Sequence, residues 1–366
     1  MTTNRKLAVI TGVTGQDGAY LSKLLLEKGY VVIGVVRRSS VNTTTRLSIL
    51  NVLNNDSFKL VEGDVTDAHS MNSIITKYQP DEVYHLAGQS DVHTSFQQPG
   101  YTWNVNANGC LFMLESIRNY CPAAHFYFAA SSEMFGTNFT TSYPQDDDLA
   151  WGIGWRKSSA PPRLFQNEQT PFAPTSPYAV AKLAAYHTVQ TYRRAYGLHV
   201  SSGILFNHES KLRGEAFVTK KITQWVAKTA QYVDEHGPLN ADTFPANKKI
   251  RLGNLDACRD WGYAPCYVNG MFLMLQQEKP DDYVIATGET RTVLDFVCAA
   301  FKAVGWNDDP EFVRQFIYID PEFYRPSEVE YLLGDSTKAR EKLGWEPNIT
   351  FTEMVDIMVQ YDLSLL

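Results

Sequence analysis

Apolar residues in the first half of the chain fall in short, nearly unbroken runs separated by stretches with three-to-four spacing. KLAVIT (6–11), VVIGVVR (31–37), FKLVEGDV (58–65), EVYHLA (82–87) and HFYFAA (125–130) are β-branched or aromatic. Strands buried on both faces of a sheet have this composition. AYLSKLLLEKG (19–29), DAHSMNSIITKY (67–78) and NVNANGCLFMLESIRNY (104–120) carry helical spacing between them. The alternation predicts right-handed βαβ units. It implies an α/β fold with a Rossmann-like, doubly wound parallel sheet and helices on both faces. Ligands of such sheets bind outside the carboxyl ends of the strands.

The order loosens between about 137 and 176, where Thr, Ser, Pro, Asp and Gln surround WGIGW. This stretch reads as a long loop or small excursion. Regularity returns with a helix over 177–197 and a strand over 200–207. After 208 the pattern is mixed. KIRLGN (249–254) and DYVIATG (282–288) read as strands, and 264–278, 292–305 and 350–363 as helices. The expected organisation is a dinucleotide-binding domain over 1–207, with late segments near 250–290 returning to it. A smaller mixed α/β substrate lobe occupies most of 208–366. No internal repeat or low-complexity tract is visible.

Composition narrows the class. With 44% apolar and 20% charged residues the chain is globular. A net charge of -7 argues against a nucleic-acid surface. The five cysteines form no CxxC pair and their number is odd, so neither a disulfide framework nor a metal site is expected. MTTNRKLAVITG does not read as a signal peptide, and no run of about 18 apolar residues suggests a membrane span. A soluble protein of a reducing compartment, the cytoplasm, is the expectation.

Chemistry concentrates at strand ends. Directly after the first strand, TGVTGQDG places Gly12, Gly15 and Gly18 in GxxGxxG spacing. Alone this is as compatible with an ordinary tight turn. Its position before an amphipathic helix favours a pyrophosphate cradle, with free N–H groups and a positive dipole end at the helix start. The second strand ends in Arg37, Arg38, Ser39 and Ser40, where an NAD site usually has a carboxylate for the ribose 2′-hydroxyl. Guanidinium groups suit a 2′-phosphate, so the expected cofactor is NADP(H), with a solvated basic loop as the bland alternative. Asp64 and Val65 end the third strand beside the expected adenine position, and HLAGQS (85–90) ends the fourth. His85, inside an apolar run, reads as a packed core residue rather than a ligand.

Tyr178 and Lys182 form YxxxK at the start of a helix, on one face and one turn apart. A phenol with an ordinary pKa of about 10 is a poor base. A nearby ammonium and an oxidised nicotinamide would favour the phenolate. Ser131, Ser132 and Glu133 follow the fifth strand. Alcohol oxidation needs a hydroxyl and the tyrosine but no carboxylate, so Glu133 is the informative residue. A base there would remove a proton next to a newly formed ketone, unless it is a surface glutamate of no special role.

TGxxGxxG, HLAGQS, the SSE after the fifth strand and YAVAK resemble the extended short-chain dehydrogenase/reductases. ITGVTGQDGAYL, RRSS, SSEMFG, SPYAVAK, ILFNHES, RGEAFVTKKI, LGNLDACRDWGYAPCYV and RPSEVEYLLGD resemble, more narrowly, the GDP-mannose 4,6-dehydratases across nearly the whole chain. The resemblance implies catalysis by Ser131, Glu133, Tyr178 and Lys182. It implies cofactor contacts from Gly12, Val13, Thr14, Gly15, Gln16, Asp17, Arg37, Arg38, Ser39, Ser40, Asp64, Val65, Leu86, Ala87, Gly88, Gln89, Ser90, Tyr101, Lys182, His208 and Arg213. Ser132, Asn207, Lys221, Arg259, Arg325 and Glu328 would serve the nucleotide sugar, the cations meeting a diphosphate and Glu328 the ribose hydroxyls. The implied activity is a lyase reaction on GDP-mannose by internal hydride transfer through NADP(H). The implied assembly is a homodimer or homotetramer, with RRSS at a tetramer contact. A dehydratase or epimerase of another GDP-sugar, such as a manno-heptose, is the alternative, and a non-catalytic NADPH-binding scaffold a more distant one.

The chain departs from the family pattern in places. Ser131 stands for threonine, Cys258 for lysine, and Pro265 and Cys266 for a charged pair. The segment between Glu133 and Tyr178 is longer than usual and contains Trp151, Trp155 and Arg156. A lid or intersubunit contact is expected from about 140 to 170.

Overall fold

The computed structural model describes residues 5–142, 163–324 and 329–366. Trp151, Trp155, Arg156, Arg325 and Glu328 lie outside the described residues, as does most of the expected lid.

Seven strands form the central sheet. They are β1 (Leu7–Thr11), β2 (Val31–Val36), β3 (Phe58–Glu62), β4 (Glu82–His85), β5 (His125–Ser131), β6 (Val200–Leu205) and β7 (Asp282–Ile285). Their order is β7-β6-β5-β4-β1-β2-β3, and every pairing is parallel. The chain builds outward from β1 to β3, then restarts on the other side of β1 with β4. That reversal splays the connections apart and opens a crevice at the strand carboxyl ends.

The covering helices are α1 (Gln16–Glu27), α2 (Ala68–Tyr78), α3 (Gly109–Tyr120), α4 (Pro177–Tyr196), α5 (Val218–His236), α6 (Ala264–Leu275), α7 (Val293–Ala303) and α8 (Phe351–Leu363). Their limits follow from local chemistry. For α4, the Ser176 side chain accepts from Ala179 N, Pro177 opens the first turn, and Gly197 ends the helix at φ +66°. Thr292 with Asp295 and Thr350 with Glu353 form capping boxes at α7 and α8.

The apolar residues form two cores. One is the sheet with its helices, including late residues such as Tyr267, Leu332 and Trp345. The other gathers Ile222, Val226, Phe296, Phe301, Phe316, Met354 and Met358. Tyr263 and Ile349 pack against both. Of the two late strands expected near 250–290, Asp282–Ile285 joins the central sheet as its edge. Ile250–Leu252 pairs with Ile317–Ile319 outside it. Helix α5 has no counterpart in the sequence reading. It buries Thr219, Lys220, Thr223 and Thr229 along with its apolar residues, so its inward face carries a broken hydrophobic stripe. No helix among the described residues is long and apolar enough to cross a membrane.

Candidate functional site

A cavity of about 1370 Å³ opens at the carboxyl ends of the strands, between the two cores. On one wall the turn after β1 packs backbone against backbone. Gly12 has φ +71°, and a Cβ there would lie 2.7 Å from Ala87 N. A Cβ on Gly18 would lie 2.4 Å from Gly12 O. The glycines therefore bring the β1 turn, the start of α1 and the end of β4 into direct contact, which no side chain permits. Val13 is fully buried beneath this turn, while Thr14, Gly15, Gln16 and Asp17 line the cavity. The fit to a dinucleotide is good, since free amide groups at the α1 N-terminus face a groove with cations on its far side.

A side-chain staple fixes this loop from across the cavity. His208 Nε2 is 2.9 Å from Asp17 Oδ2, and His208 Nδ1 is 2.7 Å from Phe206 O. Gln16 Nε2 donates to His208 O (3.1 Å), and the Ser210 hydroxyl donates to Gln16 Oε1 (2.8 Å). Burial alone would raise Asp17, but the His208 charge and hydrogen bond hold it below the ordinary range. Burial alone would lower His208, but Asp17 outweighs it and raises the imidazole. Both His208 ring nitrogens are engaged, so its side chain acts as a brace while also lining the cavity. Arg213 lines the cavity in an ion pair with buried Glu209 (Nε–Oε2 3.0 Å), and its guanidinium lies 3.7 Å from the Phe217 ring centre.

The segment after β4 is held by a residue outside every motif named above. Asn106, in the single wide π-turn Asn104–Asn108, accepts from Gln89 N and donates to Gln89 O, both at 2.9 Å. This fixes Leu86, Ala87, Gly88, Gln89 and Ser90, of which all but Gln89 line the cavity. The available signal was the run NVNANG (104–109), whose repeated Asn and closing Gly are poor helix formers, at a π-turn of the kind that concentrates at functional sites. His85 is a core residue. Burial lowers it to about 3, its Nδ1 lies 3.1 Å from Thr11 Oγ1, and its ring stacks near Phe126 and Phe128.

Beyond β2, Arg37, Arg38, Ser39 and Ser40 are exposed or nearly so, and Arg37 donates to the Tyr101 hydroxyl at 3.0 Å. Asp64 turns its carboxylate onto Thr66 N and Oγ1 (2.9 and 2.8 Å), and Val65 is buried beside Gly109. None of these residues lines the main cavity.

On the floor, Ser131 ends β5 and its hydroxyl accepts from Glu133 N at 3.3 Å. Ser131, Ser132, Glu133, Tyr178 and Lys182 all line the cavity. Burial pushes the Tyr178 phenol up to about 12. A hydrogen bond with Ser131 opposes this, the Glu133 charge adds to it, and Arg213 opposes it. Lys182 Nζ donates to Ala129 O at 2.7 Å and lies 6.0 Å from the Tyr178 ring centre. Burial lowers Lys182 to about 8. The ammonium expected to favour the phenolate is thus engaged by a carbonyl, and the cation that favours it is Arg213.

The opposite wall carries Asn207, Lys221 and Arg259. Lys221 Nζ sits 4.4 Å from the Phe323 ring centre, and Arg259 is buried and donates to Cys258 O at 2.8 Å. Asp260 organises this wall, another residue that sequence reasoning passed over. Fully buried, it accepts from Thr287 N (2.9 Å), Thr287 Oγ1 (2.7 Å), Gly288 N (2.9 Å) and Gly334 N (3.2 Å). One carboxylate thereby ties LDACRDWG to the far end of EVEYLLGD.

Comparison with known proteins agrees with this geometry. The family model described as GDP-mannose 4,6 dehydratase matches residues 9–150 and 160–358, leaving a gap inside the long segment before Tyr178. GDP-mannose 4,6 dehydratase 1 of Arabidopsis thaliana is 45% identical, covering 99% of this chain and 91% of that protein. GDP-mannose 4,6-dehydratase of Sinorhizobium fredii is 44% identical, covering 100% of this chain and 98% of that protein. Among solved structures, a UDP-glucose 4-epimerase from Thermotoga maritima superposes with a TM-score of 0.76 at 23% identity, covering 98% of this chain and 99% of that one. A dTDP-glucose 4,6-dehydratase from Bacillus anthracis in complex with NAD gives 0.74 at 17% identity, covering 97% and 96%. These structural likenesses concern the fold, whereas the family match and the relatives run the length of the chain: it belongs to the GDP-mannose 4,6-dehydratase family.

Proposed function

We propose that the protein converts GDP-mannose to GDP-4-keto-6-deoxymannose and water, with a resident NADP(H) restored in every turnover. The observation that carries this reading is Glu133 on the same cavity wall as Tyr178, close enough for its charge to raise the phenol. A plain alcohol dehydrogenase has no use for that carboxylate.

Tyr178, as phenolate, takes the O4 proton of the hexose. A nicotinamide held at this site would supply the redox chemistry, the transient uptake of hydride from C4 and its return to C6. With a ketone at C4 the C5 hydrogen becomes acidic, and Glu133 removes it. The same carboxyl group then protonates the departing C6 hydroxyl, assisted by Ser131, and water leaves. A proton returned to C5 completes the 6-deoxy product. Because burial pushes Tyr178 up to about 12, the phenolate needs positive charge nearby; Arg213 contributes, and an oxidised nicotinamide would add to it. Lys182, held by Ala129 O, would orient the cofactor's ribose hydroxyls. Arg213 and Lys221 offer cations to diphosphate groups.

Arg37 and Arg38, with no carboxylate at the end of β2, support NADP(H) over NAD(H). Changing both to Ala should weaken NADPH by about 1–3 kcal/mol per lost charge-assisted contact. Equal affinity of the wild type for the two dinucleotides would contradict the preference. The composition supports a cytoplasmic setting, and the resemblance supports a dimer or tetramer. The decisive experiment uses GDP-mannose deuterated at C4. The label should appear at C6 of the product, and its loss to solvent would end the dehydratase reading.

A further inference from the structure

The cofactor wall holds a cation outside every motif considered so far. Arg46 stands on the short helix Thr45–Ile49 beyond RRSS, and its side chain leaves that helix to bridge two other segments. Its Nε donates to Leu212 O at 2.7 Å and its Nη1 to Thr14 O at 3.3 Å. Its Nη2 lies 3.7 Å from where a Cβ on Gly214 would be, and the side chain lines the main cavity. A guanidinium carries five N–H donors in a fixed plane, and two carbonyls use only part of them.

Its electrostatic setting is unusual. None of the ion pairs among the described residues includes Arg46. Glu209, a buried carboxylate lining the same cavity, is committed to Arg213. Burial lowers the Arg46 pKa, and the like charge of Arg213 lowers it further, opposed by Glu215. Two guanidinium groups thus face one cavity beside the α1 N-terminus. Holding like charges together in a partly desolvated wall is unfavourable until an anion lies against them. The two carbonyl bonds add no charge and fix the plane of the guanidinium, which preorganises the remaining donors.

We propose that Arg46 is a phosphate-binding residue of the cofactor site, acting with Arg213 on a phosphate ester of the bound dinucleotide. The proposal rests on the dinucleotide reading above. A dinucleotide phosphate can come from the 2′-position or from the pyrophosphate, and the two sources are separable by experiment.

The test compares wild type, Arg46→Ala and Arg46→Lys by direct titration with NADPH, NADH and GDP, with thermal melting as a check on folding. Arg46→Ala should weaken NADPH about tenfold or more and leave GDP within twofold. Arg46→Lys keeps the charge but cannot span both carbonyls, so it should recover only part of the affinity. If NADH weakens equally, the pyrophosphate is the ligand, and if only NADPH weakens, it is the 2′-phosphate. NADPH affinity unchanged in Arg46→Ala would overturn the proposal, with or without a lower melting temperature, and so would a loss confined to GDP. A wild type that binds neither dinucleotide would instead defeat the underlying cofactor reading.

Discussion

The two walls of the cavity are built by different physics. The glycine-turn wall is largely local. Within residues 7–27 a strand, a glycine turn and a helix follow one another and pack backbone on backbone, as at Gly18 with Gly12 O, and the turn then meets Ala87 N at the end of β4 in the same way. The opposite wall takes residues from 207–221, 251–261, Val293 and 322–323, and besides backbone pairing, as of Asn207–Glu209 with Trp261–Tyr263, buried polar knots hold the segments behind it. Asp260 joins three segments. Lys220 donates to Asp362 and to Lys211 O, while Thr223 donates to Asp362 at 2.7 Å, tying α5 to α8. A steric wall tolerates no added atom. A polar wall tolerates size but not a wrong donor or a missing charge.

The largest effects are expected where the walls meet. Tyr178→Phe should abolish turnover and also the single-turnover appearance of reduced nicotinamide absorbance. Glu133→Gln should still oxidise C4 and trap that absorbance while product release falls roughly 10²–10⁴-fold. If both variants lost the oxidation step equally, the division of labour between these residues would be wrong.

Next comes the steric wall. In Gly18→Ala the new methyl would meet Gly12 O at 2.4 Å and Val13 Cα at 2.6 Å. Denaturant unfolding should show a loss of about 2–4 kcal/mol, and NADPH binding should fall while GDP binding survives. Retained NADPH affinity would mean that the turn yields more easily than its contacts imply.

The polar wall should give less, with the ligand pattern reversed. Asp260→Asn places an amide N–H against backbone N–H donors and should cost about 1–3 kcal/mol, weakening GDP more than NADPH. Burial raises Asp260 to about 6 from an ordinary 3.8. The folded protein therefore holds a proton there that the unfolded chain releases. The residue's contribution to stability falls as pH rises from about 4 to about 6 and is then flat. Asp260→Asn should remove that component of the pH dependence of unfolding.

The smallest effect belongs to the Asp17–His208 staple. Asp17 is lowered below 3.8, so its contribution is present above that pH and lost as pH falls through the folded value. His208 is raised above 6.5, so its contribution is complete below 6.5 and lost as pH rises through the folded value. The melting-temperature gap between wild type and His208→Gln should therefore be wider at pH 6 than at pH 9. A gap that grew toward alkaline pH would show that the pair is not ionic.

Much of this was legible beforehand, for identifiable reasons. Unbroken β-branched runs marked six of the seven sheet strands in the first 207 residues because both faces of a parallel sheet are apolar. The late DYVIATG segment supplied the seventh. That Ser131, Glu133, Tyr178 and Lys182 share one cavity was legible from their places after β5 and at the start of α4. Asn106 and Asp260 were not, because each is a single polar residue whose partners are distant in sequence. Arg46 was missed because its own helix gives no hint of where its side chain goes. Helix α5 was missed because its buried threonines and lysine imitate an exposed face.

The sequence by itself determined the alternating α/β pattern, the glycine turn, the helix caps and the family. These depend on residues within about one turn or one strand of each other, where spacing fixes geometry. The tertiary structure alone decided which charges share a wall. It engaged Lys182 with Ala129 O, brought Arg46 onto Thr14 O of the glycine turn, and closed His208 onto Asp17. The strength and sign of such interactions depend on burial and on partners brought together from 32 to 191 residues away, and no local pattern records them.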